Sequence, residues 1–217
     1  MKIKWNQLNR GIILAAVLAA GTAIYVTVQN VQFQNNIPEL EQRAEQLGQE
    51  MAETNIGSGE ATRRKQRAFV QNNFIDSDGA AVSLLEMGMS MTKSNMLYEL
   101  NQPYTAEGEI LSAEYKQINA DVNKSGATGA NVKIDYKVSY DCTGTPEFLG
   151  FTGTDSTEFY FDREQDRNAR KTITISGSTT FYMLPDGGDW KIVSVTTDGW
   201  YNFDYEFADE EGGEPVE

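Results

Sequence analysis

From Gly11 to Val28 the chain carries no charge, and apolar residues dominate the run GIILAAVLAAGTAIYVTV. As a helix rising about 1.5 Å per residue, this stretch nearly spans a hydrocarbon core of roughly 30 Å. A secretory signal needs only about 7 to 15 apolar residues before small residues at its cut. Ala19, Ala20 and Gly21 offer a tolerable cleavage site, yet the run continues through Ile24, Tyr25, Val26 and Val28, so a retained transmembrane anchor is the better reading. Lys2, Lys4 and Arg10 precede it and no basic residue follows before Arg43. That asymmetry puts the amino terminus in the cytoplasm and the remainder outside.

Past the anchor the period becomes helical. Asn36 can cap a helix, Pro38 suits its first turn, and Glu39 stands three residues after the cap. Ile37, Leu40, Ala44, Leu47 and Met51 then recur at steps of three and four, one apolar face suited to packing on a sheet. IGSGEA breaks this helix, TRRKQRAFVQNNF reads as a second, and AAVSLLEMGMSMTKSNMLYEL, opened by DSDGAA, as a third. From Tyr104 the period is two. Val132, Ile134, Tyr136, Val138, Tyr140 and Cys142 alternate with Asn131, Lys133, Asp135, Lys137, Ser139 and Asp141, which predicts a strand with one buried face. Further strands are predicted at GEILSAEYKQINADV, STEFYFD, KTITISGSTTFYML and DWKIVSVTTDGWYNF, joined by the turns KSGATG, REQDRNA and PDGGD. Helices first and an antiparallel meander after them predict an α+β domain.

The last hairpin, TTFYMLPDGGDWKIVSV with Trp190 opening its second strand, resembles that of the NTF2-like (cystatin-like) superfamily. The resemblance implies a curved antiparallel sheet wrapped around helices as a cone. The expected organisation is a cytoplasmic tail (1–10), a transmembrane helix (11–28), a linker (29–36), an extracytoplasmic NTF2-like domain (37–204) and an acidic flexible tail (205–217). This layout is similar to that of the VirB8-like subunits of conjugative type IV secretion systems, which implies a role in assembly.

Charge and composition narrow the chemistry. With 32 acidic and 18 basic residues the net charge is −14, which disfavours nucleic acid and anionic lipid as partners. A single cysteine allows no intrachain disulfide, a pattern that suits a Gram-positive surface protein. There is no histidine, so His-based triads, the commonest general base and His-ligated metals are excluded. Cys142 falls on the apolar face of its strand, where a thiol behaves as a small hydrophobe. Asp135, Asp141 and Asp162 alternate with apolar positions and are expected to face water, and Asp76–Gly79 lacks the later ligands of a calcium loop. These readings predict no enzyme and no cofactor.

Two candidate partner-binding sets remain. Arg63, Arg64 and Arg67, with Lys65, form the one basic cluster, either a docking patch or a solvated face. Tyr205 and Phe207 stand among acids near the end, where aromatics could anchor a partner while the charges steer a basic surface. The expected function is a membrane-anchored scaffold or assembly protein of the cell envelope, acting on other membrane or envelope proteins. The alternatives are a small-ligand-binding module serving a transporter and, weaker, an isomerase-like enzyme. A filled cone favours the first; a cavity lined by inward polar groups favours the others.

Overall fold

A computed structural model describes residues 10–76, 90–151, 153–156, 167–197 and 202–208. Residues up to Glu39 and those from Leu40 onward form two compact units.

Helix α1 runs Arg10–Thr54. It is long and apolar enough to cross a membrane, and its side chains from Ile12 to Val28 are not buried by protein. Within this stretch the Thr22 and Thr27 hydroxyls donate to the carbonyls of Leu18 and Ala23 at 2.9 and 2.8 Å, so neither requires water. Residues 29–36, expected as a linker, are helical, and Pro38 lies inside α1 instead of starting a helix. Pro38 removes one ladder donor, and the helix continues on both sides of it.

The unit from Leu40 onward is α+β. The end of α1 is followed by α2 (Gly59–Asn73), β1 (Ser90–Thr92), α3 (Lys93–Leu100), β2 (Glu107–Ser125) and β3 (Gly129–Thr145). Then come β4 (Glu147–Gly150), β5 (Gly153–Ser156), β6 (Arg170–Asp186), β7 (Asp189–Thr197) and β8 (Asn202–Phe207). Of the expected third helix, residues 93–100 are helical and residues 80–89 lie outside the described residues. Residues 90–92, expected as part of that helix, are strand, Met91 pairing with Val195. Thr92 ends the strand and caps α3, its Oγ1 accepting from the Asn95 amide at 3.4 Å. Residues 77–89 and 157–162, which include most of the expected strand STEFYFD, lie outside the described residues.

The main sheet has the order β1-β7-β6-β3-β2, with antiparallel pairs throughout. Strand β6 serves two neighbours in turn, Thr179–Asp186 pairing with β7 and Lys171–Ser176 with β8. The β6–β7 hairpin closes through Gly187 and Gly188 at φ +63° and +90°, the paired positive values that a tight two-residue turn demands. Register shifts at Leu111 and Ile118 in β2 and at Val193 in β7 bend the sheet. On β3, Val132, Ile134, Tyr136, Val138, Tyr140 and Cys142 are all buried, as their alternation predicts, and Ala130 is buried with them. Leu40, Ala44, Leu47 and Met51 of α1, with Phe69 and Val70 of α2 and Met96 and Leu100 of α3, complete the core.

Candidate functional site

The buried face of the sheet is where a cone would hold a ligand. Here the separate β4–β5 hairpin fills it. Phe148 packs on Tyr140 with ring centroids 5.7 Å apart, and Phe151 stands edge-on between Tyr136 at 5.3 Å and Phe181 at 4.9 Å. The space left among Met51, Tyr136, Val138, Tyr140, Phe148 and Phe151 is about 10 Å³, no more than one water. Burial pushes the Tyr136 phenol up to about 12 and raises Tyr115 and Tyr140 further, so all three are neutral hydroxyls at physiological pH.

Among the described residues, three polar attachments hold the hairpin. Asn55, fully buried at the end of α1, donates to the Tyr140 hydroxyl and the Leu149 carbonyl at 2.8 and 2.9 Å. Its Oδ1 accepts from the Leu149 amide at 2.8 Å and from Gln66 at 2.9 Å. One side chain thus replaces a neighbouring strand for Leu149 and joins α1, α2, β3 and β4. Glu99 of α3 accepts from the Thr154 amide at 2.8 Å. The third attachment is the ion pair of Arg63 on α2 with Glu147 on β4, their side chains only 3% and 11% exposed. Burial raises the Glu147 pKa, Arg63 opposes the rise, and Glu99 and Asp155 add to it.

The structure separates the three candidate arginines. Arg63 is buried, which corrects its placement in a docking patch or on a solvated face: a charge-matched acid distant in sequence makes its burial tolerable. Arg67 pairs with Glu60 and donates to the Leu100 carbonyl at 3.0 Å, capping α3. Arg64 is exposed. Tyr205 and Phe207 lie together on β8, ring centroids 5.4 Å apart and each 41% exposed, in register with Ile173 and Lys171. Residues 205–207 are therefore ladder-paired strand and not flexible tail. Cys142 is buried and its thiol is pushed up to about 11, chiefly by burial, so it carries no thiolate. Of the strand acids, Asp141 binds Arg170 at 2.7 and 3.1 Å, and Asp162 lies outside the described residues.

Sequence reading missed Arg43 and Glu147. Arg43 bridges Asn73 at 2.7 Å and Asp189 at 3.2 Å beside an open groove of about 680 Å³, in whose lining Glu50 pairs with Arg43 and Lys191 with Asp189, and which Glu53 and Lys65 also line. The one available signal for Glu147 was an acid placed directly before the apolar pair Phe148–Leu149. Among the described residues no group of three His, Cys, Asp or Glu side chains could hold a metal.

No family model matches the chain, and no curated protein matches it. Among solved structures it is similar to a hexachlorocyclohexane dehydrochlorinase (LinA), type 2, at 12% identity and a TM-score of 0.34, over 83% of this chain and 98% of the other. The expectation of no enzymatic activity is corrected here, since this structural neighbour is an enzyme. The physical ground for that expectation also fails, because Glu147 is the buried carboxylate of raised pKa that the sequence did not disclose. At this similarity the match transfers neither a reaction nor a residue.

Proposed function

We propose that this protein is a membrane-anchored assembly component of the cell envelope, held by residues 11–28 with its amino terminus in the cytoplasm, whose folded unit works outside the cytoplasm by contact with other membrane or envelope proteins. The filled sheet face carries this reading: among the described residues about 10 Å³ is left beneath the β4–β5 hairpin, too little for a small ligand at that place. The apolar segment of α1 supports tethering, and the excess of lysine and arginine before it supports the orientation. The role of a VirB8-like secretion subunit is the most specific form of this proposal. Photo-crosslinking in intact cells, from probes on exposed positions of β2 and α3 such as Ile118 and Tyr98, tests it. Discrete adducts with envelope proteins are expected. Uniform absence of adducts, together with saturable binding of a small molecule, would replace the assembly reading with the ligand-binding one.

A further inference from the structure

The joint between α2 and the β4–β5 hairpin concentrates polar atoms that find no protein partner. Arg63 is 2% exposed, and its Nη2 is ion-paired with Glu147 Oε1, a contact that opposes the rise of the Glu147 pKa. Its Nε and Nη1 are buried with no acceptor, Gln66 Oε1 and the Tyr104 hydroxyl are likewise buried and unbonded, and Glu147 Oε1 is buried against Arg63 Nη2. These residues are neighbours. The Arg63 guanidinium lies 5.7 Å from the centre of the Tyr104 ring, and Gln66, one turn beyond Arg63 on α2, binds Asn55, which grips Leu149 beside Glu147. Buried donors and acceptors left dry are costly, and two guanidinium N–H groups beside three oxygen atoms complement one another through an intermediary.

We propose that Arg63, Gln66, Tyr104 and Glu147 enclose an internal hydration site, in which ordered water carries the hydrogen bonds between α2 and the β4–β5 hairpin. The Nε–H and Nη1–H directions of a guanidinium diverge, so one molecule cannot accept from both and two waters are expected. Each would accept from Arg63 and donate to an oxygen of Gln66, Glu147 or Tyr104, within the usual range of about two to four bonds for buried water. A small anion is disfavoured. Glu147 already supplies the negative charge, and Glu99 from α3 and Asp155 from β5 act on the same carboxylate with like sign.

The test is a crystal structure of the full chain in detergent at a resolution that shows ordered water, with a bromide soak and a Tyr104→Phe variant. Density for two waters at about 2.7 to 3.2 Å from Nε and Nη1 is expected, with no anomalous bromide signal. Tyr104→Phe should lose the water bound to the hydroxyl and lower the melting temperature by about 2 to 4 °C. A side chain filling the space, bromide at the guanidinium, or a rise in melting temperature on removing the hydroxyl would overturn the proposal.

Discussion

Gly48→Ala sets two opposed effects against each other. In a helix interior, glycine to alanine ordinarily stabilises by roughly 0.5 to 1 kcal/mol through helix propensity. At Gly48, a helical position, a new Cβ falls inside the contact radii of Cζ, the hydroxyl and Cε2 of Tyr115. The ring would have to withdraw by roughly 1.5 Å to reach ordinary contact. It has little freedom to do so, because Tyr115 is 9% exposed and stacks on Tyr136 at 6.3 Å, which in turn meets Phe151 at 5.3 Å. Overpacking of this kind costs about 1 to 3 kcal/mol, so the clash should win by about 1 kcal/mol. Urea unfolding of the full chain in detergent micelles, followed by tryptophan fluorescence, should show a lower midpoint at unchanged slope. In a Tyr115→Ala background the same substitution should become stabilising. A higher midpoint for Gly48→Ala with Tyr115 present would refute the notch that this contact defines.

Asn55→Ala should cost more than about 3 kcal/mol in the same assay, since it leaves the Leu149 amide and the Tyr140 hydroxyl buried without their partner; a loss under 1 kcal/mol would show that Asn55 does not join these elements. Because the folded-state pKa of Glu147 is raised above the ordinary 4.5, the folded form binds more protons just above that pH. Its contribution is therefore fully present below that value and declines as pH rises through the raised folded pKa, and Glu147→Gln should flatten this part of the stability profile while lowering its level through the unpaired Arg63. An unchanged slope would contradict the assigned direction. Truncation after Asp204 removes the pairs Ile173↔Tyr205, Thr172↔Glu206 and Lys171↔Phe207, and is expected to cost about 1 to 2 kcal/mol, where a flexible tail would cost nothing measurable. Arg64→Ala, on an exposed side chain, should stay within about 0.5 kcal/mol of the parent.

Legibility followed the range of the forces involved. The alternation in NVKIDYKVSYDC placed residues 131–142 of β3 on their correct faces, because a half-buried strand writes its environment into neighbouring positions. The spacing of Leu40, Ala44, Leu47 and Met51 did the same for α1, and the two glycines of PDGGD announced the β6–β7 turn. What depended on partners distant in the chain was hidden. Arg63 looks like one of four bases on a surface turn until Glu147 meets it, and Asn55 looks like a helix end until it takes the place of a strand beside Leu149. Residues 29–36 were misread for a local reason. Asn36, Pro38 and Glu39 make a sound start signal, but a helix already running from Arg10 has no need of one.

Site-specific labelling tests most directly whether the folded unit is tethered by α1 and faces outward. In a Cys142→Ser background, Asn119→Cys on the exposed side of β2 and Lys4→Cys before the apolar run would each be treated with a membrane-impermeant maleimide in intact protoplasts. The Asn119→Cys protein should label at once and remain in the membrane fraction, and the Lys4→Cys protein should label only after lysis. Labelling of Asn119→Cys only after lysis, or its appearance in the soluble fraction without residues 1–28, would contradict the anchored, outward-facing arrangement.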